Sequence, residues 1–254
     1  MSSSSGDSFG VNGTGKRISR RRPKSDDKLS FHQLEDRRML ATFSVTNVSD
    51  GPVTAAGDLP GSLRQAVFDA NATAGADTIE FDSGVFTGGS NSLIRLTSGE
   101  LEITQGLTID GSTGVEVTIT GDANGDDVTD GTNITDVDAS GDTLLDDNSR
   151  VFNVSAPGET LELDGLTVTG GQSTSDGGGI FVVDGDLTLT NSTVSGNRTA
   201  GYDADGGGIS AFGNLTLTGS TVSGNSTAGA TSSGGGIRAL GCLLYTSPSP
   251  RDRG

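Results

Sequence analysis

The stretch Asp122-Ala123-Asn124-Gly125-Asp126-Asp127-Val128-Thr129-Asp130 places side-chain oxygens at positions 1, 3, 5 and 9 of a tight loop. Alternate side chains in such a loop converge on a hard cation, so Asp122, Asn124, Asp126 and Asp130 are candidate Ca²⁺ ligands. The pattern is partial: Asp127 stands where such a loop has Gly, and Asn133 stands where it has a bidentate Glu. The competing reading is a solvated acidic insertion, rich in Asp and Asn because these residues make turns. A second chemistry is acid–base work by paired carboxylates, for which Asp146-Asp147, Asp184 with Asp186, and Asp203 with Asp205 have the spacing. Residues 41–241 contain no His and no Lys to complete such a set. A third candidate, Gly10-x-x-x-x-Gly15-Lys16, nearly spells a phosphate-binding loop. Arg17 follows where Ser or Thr would hold Mg²⁺ and no strand precedes it, so a basic tail accounts for it better.

These residues need a scaffold, and a repeat supplies it. Leu161-Glu162-Leu163-Asp164-Gly165-Leu166-Thr167-Val168 aligns with Leu187-Thr188-Leu189-Thr190-Asn191-Ser192-Thr193-Val194 and with Leu215-Thr216-Leu217-Thr218-Gly219-Ser220-Thr221-Val222, the starts lying 26 and 28 residues apart. A weaker copy begins at Leu101-Glu102-Ile103, and Gly-Gly-Gly-Ile recurs between units at 177–180, 206–209 and 234–237. A fixed period of this size signals a solenoid, and apolar residues alternating with Thr, Asp or Glu mark strands with one buried face. Gly165, Asn191 and Gly219 break the alternation at one place in each unit, where a turn needs positive φ. Upstream, Ser62 with Gln65 forms a capping box, and Leu63, Ala66, Val67 and Ala70 fall on one helical face; this predicts a short helix able to cover an exposed end of the sheets.

Composition agrees. Leu, Ile, Val and Phe number 57 of 254 residues, near the level below which highly charged chains stay disordered, so only stacking of identical units could make them suffice. The formal charge of −17 divides into +4 over residues 1–40 and −22 over residues 41–241. An acidic body repels phosphate backbones, which argues against nucleic acid as a partner and for Ca²⁺, basic surfaces or solvation. One Cys rules out an internal disulfide framework, and no apolar run reaches the roughly 18 residues of a membrane span. Nine Asn-x-Ser/Thr triplets follow from a chain rich in Asn, Ser and Thr and are assigned no function.

Three resemblances extend this reading. Leu34-Glu35-Asp36-Arg37-Arg38-Met39-Leu40-Ala41 resembles the Leu-Glu-Pro-Arg type N-terminal motif of large surface or exported proteins of planctomycete-like bacteria, with Asp36 in place of Pro. The Ser-, Gly- and Arg-rich leader before it, with a basic run at Arg20, Arg21, Arg22 and Lys24, has no apolar h-region of a standard secretory peptide. Residues 58–71, followed by Asp77-Thr78-Ile79-Glu80-Phe81, resemble the surface-protein family named for a Cys-Ser-Leu-Arg-Glu-Ala motif, Gly61 replacing the Cys and Gln65 the Glu. That resemblance implies a capping segment leading into a right-handed parallel β-helix. The repeats are also similar to polymorphic outer-membrane proteins, Gly-Gly-Gly-Ile standing for Gly-Gly-Ala-Ile, and Val194-Ser195-Gly196-Asn197 and Val222-Ser223-Gly224-Asn225 for Phe-x-x-Asn. Finally, the repeat stops in mid-unit after Leu240-Gly241, and Cys242-Leu243-Leu244-Tyr245-Thr246-Ser247-Pro248-Ser249-Pro250-Arg251-Asp252 resembles a translated sequencing adapter, in whose place the native protein is expected to continue with further coils and an anchor.

The expected organisation is therefore a disordered basic leader with a targeting-like motif (1–42), a capping segment (43–91), a right-handed parallel β-helix (92–240) and a non-native tail (241–254). The all-β solenoid is expected to be a monomeric, exported or cell-surface structural and adhesive protein, associated with the outer membrane and meeting extracellular glycans or cell-surface components, with no catalysis and no certain cofactor beyond the candidate Ca²⁺. The rival is a polysaccharide lyase or glycoside hydrolase, since pectate lyases and polygalacturonases share this architecture; the Asn-Thr-Asp, Gly-His-Gly and Arg-Ile-Lys signatures of polygalacturonases are absent from the sequence.

Overall fold

The structure, a computed structural model, describes residues 40–112, 115–123 and 148–246. The leader through Met39, including Gly10 to Arg17, the basic run and most of the targeting-like motif, lies outside the described residues. So do Asn124, Asp126, Asp130, Asp146-Asp147 and the tail beyond Thr246.

The described chain is a parallel β-solenoid of about five turns with a single α-helix. It begins with β1 (Thr42–Val45), α1 (Leu63–Ala72), β2 (Asp77–Phe81) and β3 (Leu93–Arg95). The next coil holds β4 (Leu101–Ile103), β5 (Leu107–Asp110) and β6 (Val117–Thr120). Then come β7 (Phe152–Asp164), β8 (Leu166–Thr169) and β9 (Gln172–Ser173), followed by β10 (Ile180–Thr190), β11 (Thr193–Ser195) and β12 (Arg198–Thr199). The last coils carry β13 (Ile209–Ala211), β14 (Leu215–Thr218), β15 (Thr221–Ser223), β16 (Ser226–Thr227), β17 (Ile237–Ala239) and β18 (Leu243–Thr246). Three parallel sheets result: a ten-stranded one from β1 to β18, a five-stranded one ordered β15-β11-β8-β6-β3, and a three-stranded one ordered β16-β12-β9.

Register follows the repeat. Leu161, Leu187 and Leu215 stack in one column and Leu163, Leu189 and Leu217 in the next, all inward and buried, while Thr188 and Thr216 face out between them. Each coil thus contributes a few apolar side chains, and stacking fuses them into one continuous core. The expected turn positions have positive φ: 65° at Gly165, 48° at Asn191 and 59° at Gly219. Asn191 is the sole non-glycine with positive φ among the described residues, in keeping with the tolerance of Asn for this region. At the Gly-Gly-Gly-Ile corner the backbones approach so closely that a Cβ on Gly178 would lie 2.4 Å from the carbonyl oxygens of Arg198 and Gly207.

Two local readings are corrected. The second coil aligns through Leu107-Thr108-Ile109-Asp110, whose residues pair with Leu161 to Asp164; Leu101-Glu102-Ile103 lies instead against Phe152-Asn153-Val154. Both tripeptides have the same alternation, and the excursion between Gly121 and Ser149 hides the period that would have separated them. The chain returns to where it left, Ser149 N donating to Gly121 O at 3.1 Å. At α1, the Ser62 hydroxyl accepts from Gln65 N as expected (3.1 Å). The Gln65 amide reaches past the cap, its oxygen accepting from Leu59 N (3.0 Å) and its nitrogen donating to Asp69 Oδ1 (2.9 Å). Leu63, Ala66, Val67 and Ala70 are buried as their spacing requires, and the helix packs on β1, β2 and β4. Both β1 and β2, within the expected capping segment, are already rungs of the large sheet, and β18 adds a rung on β14 with Leu243 opposite Leu215.

Candidate functional site

Of the four candidate Ca²⁺ ligands, Asp122 is described. It follows β6, is 8% exposed, and its Oδ2 accepts from Arg95 Nη1 at 3.0 Å, while its backbone N–H donates to Thr120 Oγ1 at 3.1 Å. Asn124, Asp126 and Asp130 lie outside the described residues, and no group of three or more His, Cys, Asp or Glu able to hold a metal occurs among the described ones.

The carboxylate pairs mostly tie coil to coil. Asp186 accepts from Asn214 N (2.8 Å) and Nδ2 (3.2 Å) of the next coil. Asp205 N donates to Asp176 Oδ1 (2.8 Å), and Asp205 Oδ1 in turn accepts from Ser233 N (2.6 Å), so one acidic position repeats as a ladder. Arg238 closes that ladder through Nε to Asp205 (2.7 Å) and Nη1 to Asp176 (3.5 Å). Asp203 meets the Thr231 hydroxyl of the following coil. Asp184 is the exception, an exposed bulge residue whose Oδ1 accepts from Gly185 N (3.0 Å).

Among the described residues, Gly99, Glu100, Ser149, Arg150, Gln172 and Ser173 help to line a cleft of about 340 Å³. Arg150 is its centre. Its Nε donates to Gly177 O (2.8 Å), Nη1 to Glu100 Oε2 (2.8 Å), and Nη2 to Ser173 Oγ, Ser175 Oγ and Asp176 O (2.9, 2.6 and 2.9 Å). The guanidinium also lies 4.9 Å from the Phe181 ring centroid. Burial lowers the Arg150 pKa from its ordinary value, and Glu100 opposes that shift through its charge and its hydrogen bond. The other Glu100 oxygen accepts from Asn153 Nδ2 (3.0 Å). Nearby, the Ser149 hydroxyl and the Asn153 amide oxygen are buried without a hydrogen-bond partner.

The cation and its carboxylate thus tie together strands and turns of adjacent coils. Sequence reasoning passed over Arg150 and Glu100. The signal available was that residues 41–241 hold five Arg and no Lys, and one of those Arg stands at the return from the acidic excursion. It also passed over the ladder of buried Asn197 and half-buried Asn225, quoted only as part of a motif. Asn197 Oδ1 accepts from Gly171 N (2.8 Å) and Nδ2 donates to Val168 O (3.1 Å), while Asn225 Oδ1 accepts from Asn197 N (2.9 Å). No family model, curated protein or solved structure matches this chain.

Proposed function

We propose that the chain is part of an exported or cell-surface protein whose β-helix serves as a structural and adhesive element, with no catalytic role for the described residues. The observation that carries this reading is where the acidic groups go. In Asp176, Asp186, Asp203 and Asp205 the carboxylates bind the next coil, so the charge most available for catalysis acts to hold the solenoid together. Stacked coils offer the same outward face again and again, and their acidic surface suits a hydrated exterior. The resemblance of residues 34–41 to an export-associated motif supports the same placement. Protease shaving of intact native cells should release fragments of residues 41–241; protection until lysis would overturn the reading.

The competing reading, a polysaccharide lyase or hydrolase, draws on the Arg150–Glu100 cleft, since lyases neutralise a sugar carboxylate with a cation. Incubation of the full chain with pectin and alginate tests it. Turnover lost on Asp184→Asn with Asp186→Asn, or on Glu100→Gln, would replace the adhesive reading by the enzymatic one.

A further inference from the structure

Along the outer face of the large sheet, one column breaks the rule that Thr, Ser and Asp face water. Val182, Ala211 and Ala239 are in register and face inward, and the residues that follow them, Val183, Phe212 and Leu240, are 46%, 44% and 57% exposed. Scattered apolar side chains need no explanation, but an apolar column repeated on three successive coils does. Beside it, directly after Phe212 and Leu240 and one residue beyond Val183, where the exposed bulge residue Asp184 intervenes, runs a strip of glycines whose positions cannot carry side chains. A Cβ on Gly213 would lie 1.8 Å from Gly185 O, one on Gly241 2.3 Å from Gly213 O, and one on Gly185 2.4 Å from Ala156 O. Beyond the glycines stand Asp186 and Asn214, bonded to each other across the coils. The result is a trough parallel to the solenoid axis, with an apolar side, a backbone floor interrupted only by Asp184 on the first of the three coils, and a polar side.

We infer that this trough binds an extended, uncharged polysaccharide lying along the axis, with one sugar over each coil. This rests on the surface-adhesive reading and names its partner class. Three arguments select the occupant. A stable protein interface needs about 800 Å² per partner, which a column one side chain wide does not supply, whereas a single polymer chain needs no more width. Parallel coils repeat every ~4.8 Å, about the advance of one pyranose in an extended β-1,4-linked chain, so each ring's C–H face meets one apolar side chain while its hydroxyls reach Asp186 and Asn214. The charge around the trough excludes acidic glycans: Arg150 is neutralised by Glu100 and Arg238 by Asp176 and Asp205, leaving Asp184 and Asp186 as net negative charge. Phe212 is held in place by the edge of Phe181 (5.9 Å between centroids) and by the Arg238 guanidinium 5.3 Å from its ring.

The test is affinity electrophoresis of the full chain through gels containing hydroxyethylcellulose, glucomannan or polygalacturonate. The expected result is retardation by at least one neutral polymer, a dissociation constant at least tenfold weaker in Phe212→Ala and in Val183→Ser, and no change in Tyr202→Ala, an exposed aromatic in the loop between β12 and β13. Val183→Ser should keep the parent's melting temperature, and Phe212→Ala, which loses the Phe181 edge and the Arg238 contact, should stay folded with a melting temperature lower by no more than about 4 °C. Retardation by polygalacturonate alone, by none of the three, or equally in the parent and both trough variants overturns the trough. Protease shaving reports on the surface reading separately: a shaved protein without neutral-glycan binding defeats only the trough, and a glycan-binding protein protected in intact cells defeats only the placement.

Discussion

Asn197 shows how much a single buried amide can hold. It is fully buried, and its side chain serves Gly171 N, Val168 O, Ser195 O and Asn225 Oδ1 at once. Replacing it by Ala strands a buried N–H and two carbonyls, each an unsatisfied group worth about 1–3 kcal/mol, so Asn197→Ala should destabilise by about 3 kcal/mol in urea unfolding. Asn225→Ala should cost about half as much, because Asn225 is half-buried and water can replace it. Asp58 gives a pH signature. Its Oδ2 accepts from Thr54 N and Ala55 N (both 2.8 Å) and from Thr54 Oγ1 (3.0 Å), and these bonds, the backbone one from Thr54 first, lower its pKa below the ordinary 3.8. A depressed carboxyl pKa means the turn is favoured above pH 3.8 and loses that support as pH falls through the lower folded value. Amide shifts of Thr54 and Ala55 should titrate together below pH 3.8 and stop titrating in Asp58→Asn. Of these residue roles, the sequence displayed the turn at Asn191 and the cap at Ser62, because each acts within a few residues of itself. Arg150 and Asn197 act across 23 to 50 residues, and only the assembled coil brings their partners together.

At the scale of the element, legibility depended on period. Strands β7, β10 and β14 could be aligned because 26 and 28 residues separate their starts, whereas β5 was missed because the excursion after β6 sets 54 residues between Leu107 and Leu161. The helix was visible through its apolar spacing, and its Arg64 now has a role: Nε and Nη2 grip Asp50 (2.7 and 3.0 Å), while Nη1 donates to Glu100 O (2.9 Å). The resemblance over residues 58–71 pointed to this segment; the ion pair shows why an Arg there ties the helix to the first coils. Within the strands, inward and outward positions should respond oppositely to charge. Leu189 is fully buried in a core one coil thick, where a carboxylate has no partner, so Leu189→Asp should abolish cooperative unfolding. Thr188→Lys, on the solvent side of the same strand and opposite Glu162, should change stability by no more than about 0.5 kcal/mol. Urea unfolding followed by circular dichroism checks both, and equal effects would mean the strand faces are misassigned.

For the molecule as a whole, stability is a sum over coils, each touching its neighbours, set against the mutual repulsion of a body carrying a formal −22 over residues 41–241. Repulsion between exposed charges is screened over about 8 Å at physiological ionic strength, so monovalent salt should raise the melting temperature steadily between low and physiological concentration. Divalent ions add a second question at the acidic excursion. Asp122, the one described member of the candidate set, already neutralises Arg95, so a cation there must share or displace that guanidinium. A bound Ca²⁺ would therefore show as an increment in melting temperature from sub-millimolar Ca²⁺ at constant ionic strength, absent with equal Mg²⁺ and abolished by Asp126→Asn, which removes a ligand charge. Arg95→Ala should enlarge that increment, because it removes the guanidinium that competes with the cation for Asp122. If Ca²⁺ and Mg²⁺ act equally and neither substitution alters the response, the divalent effect is screening, and the excursion is the solvated acidic loop that its turn-forming composition suggests.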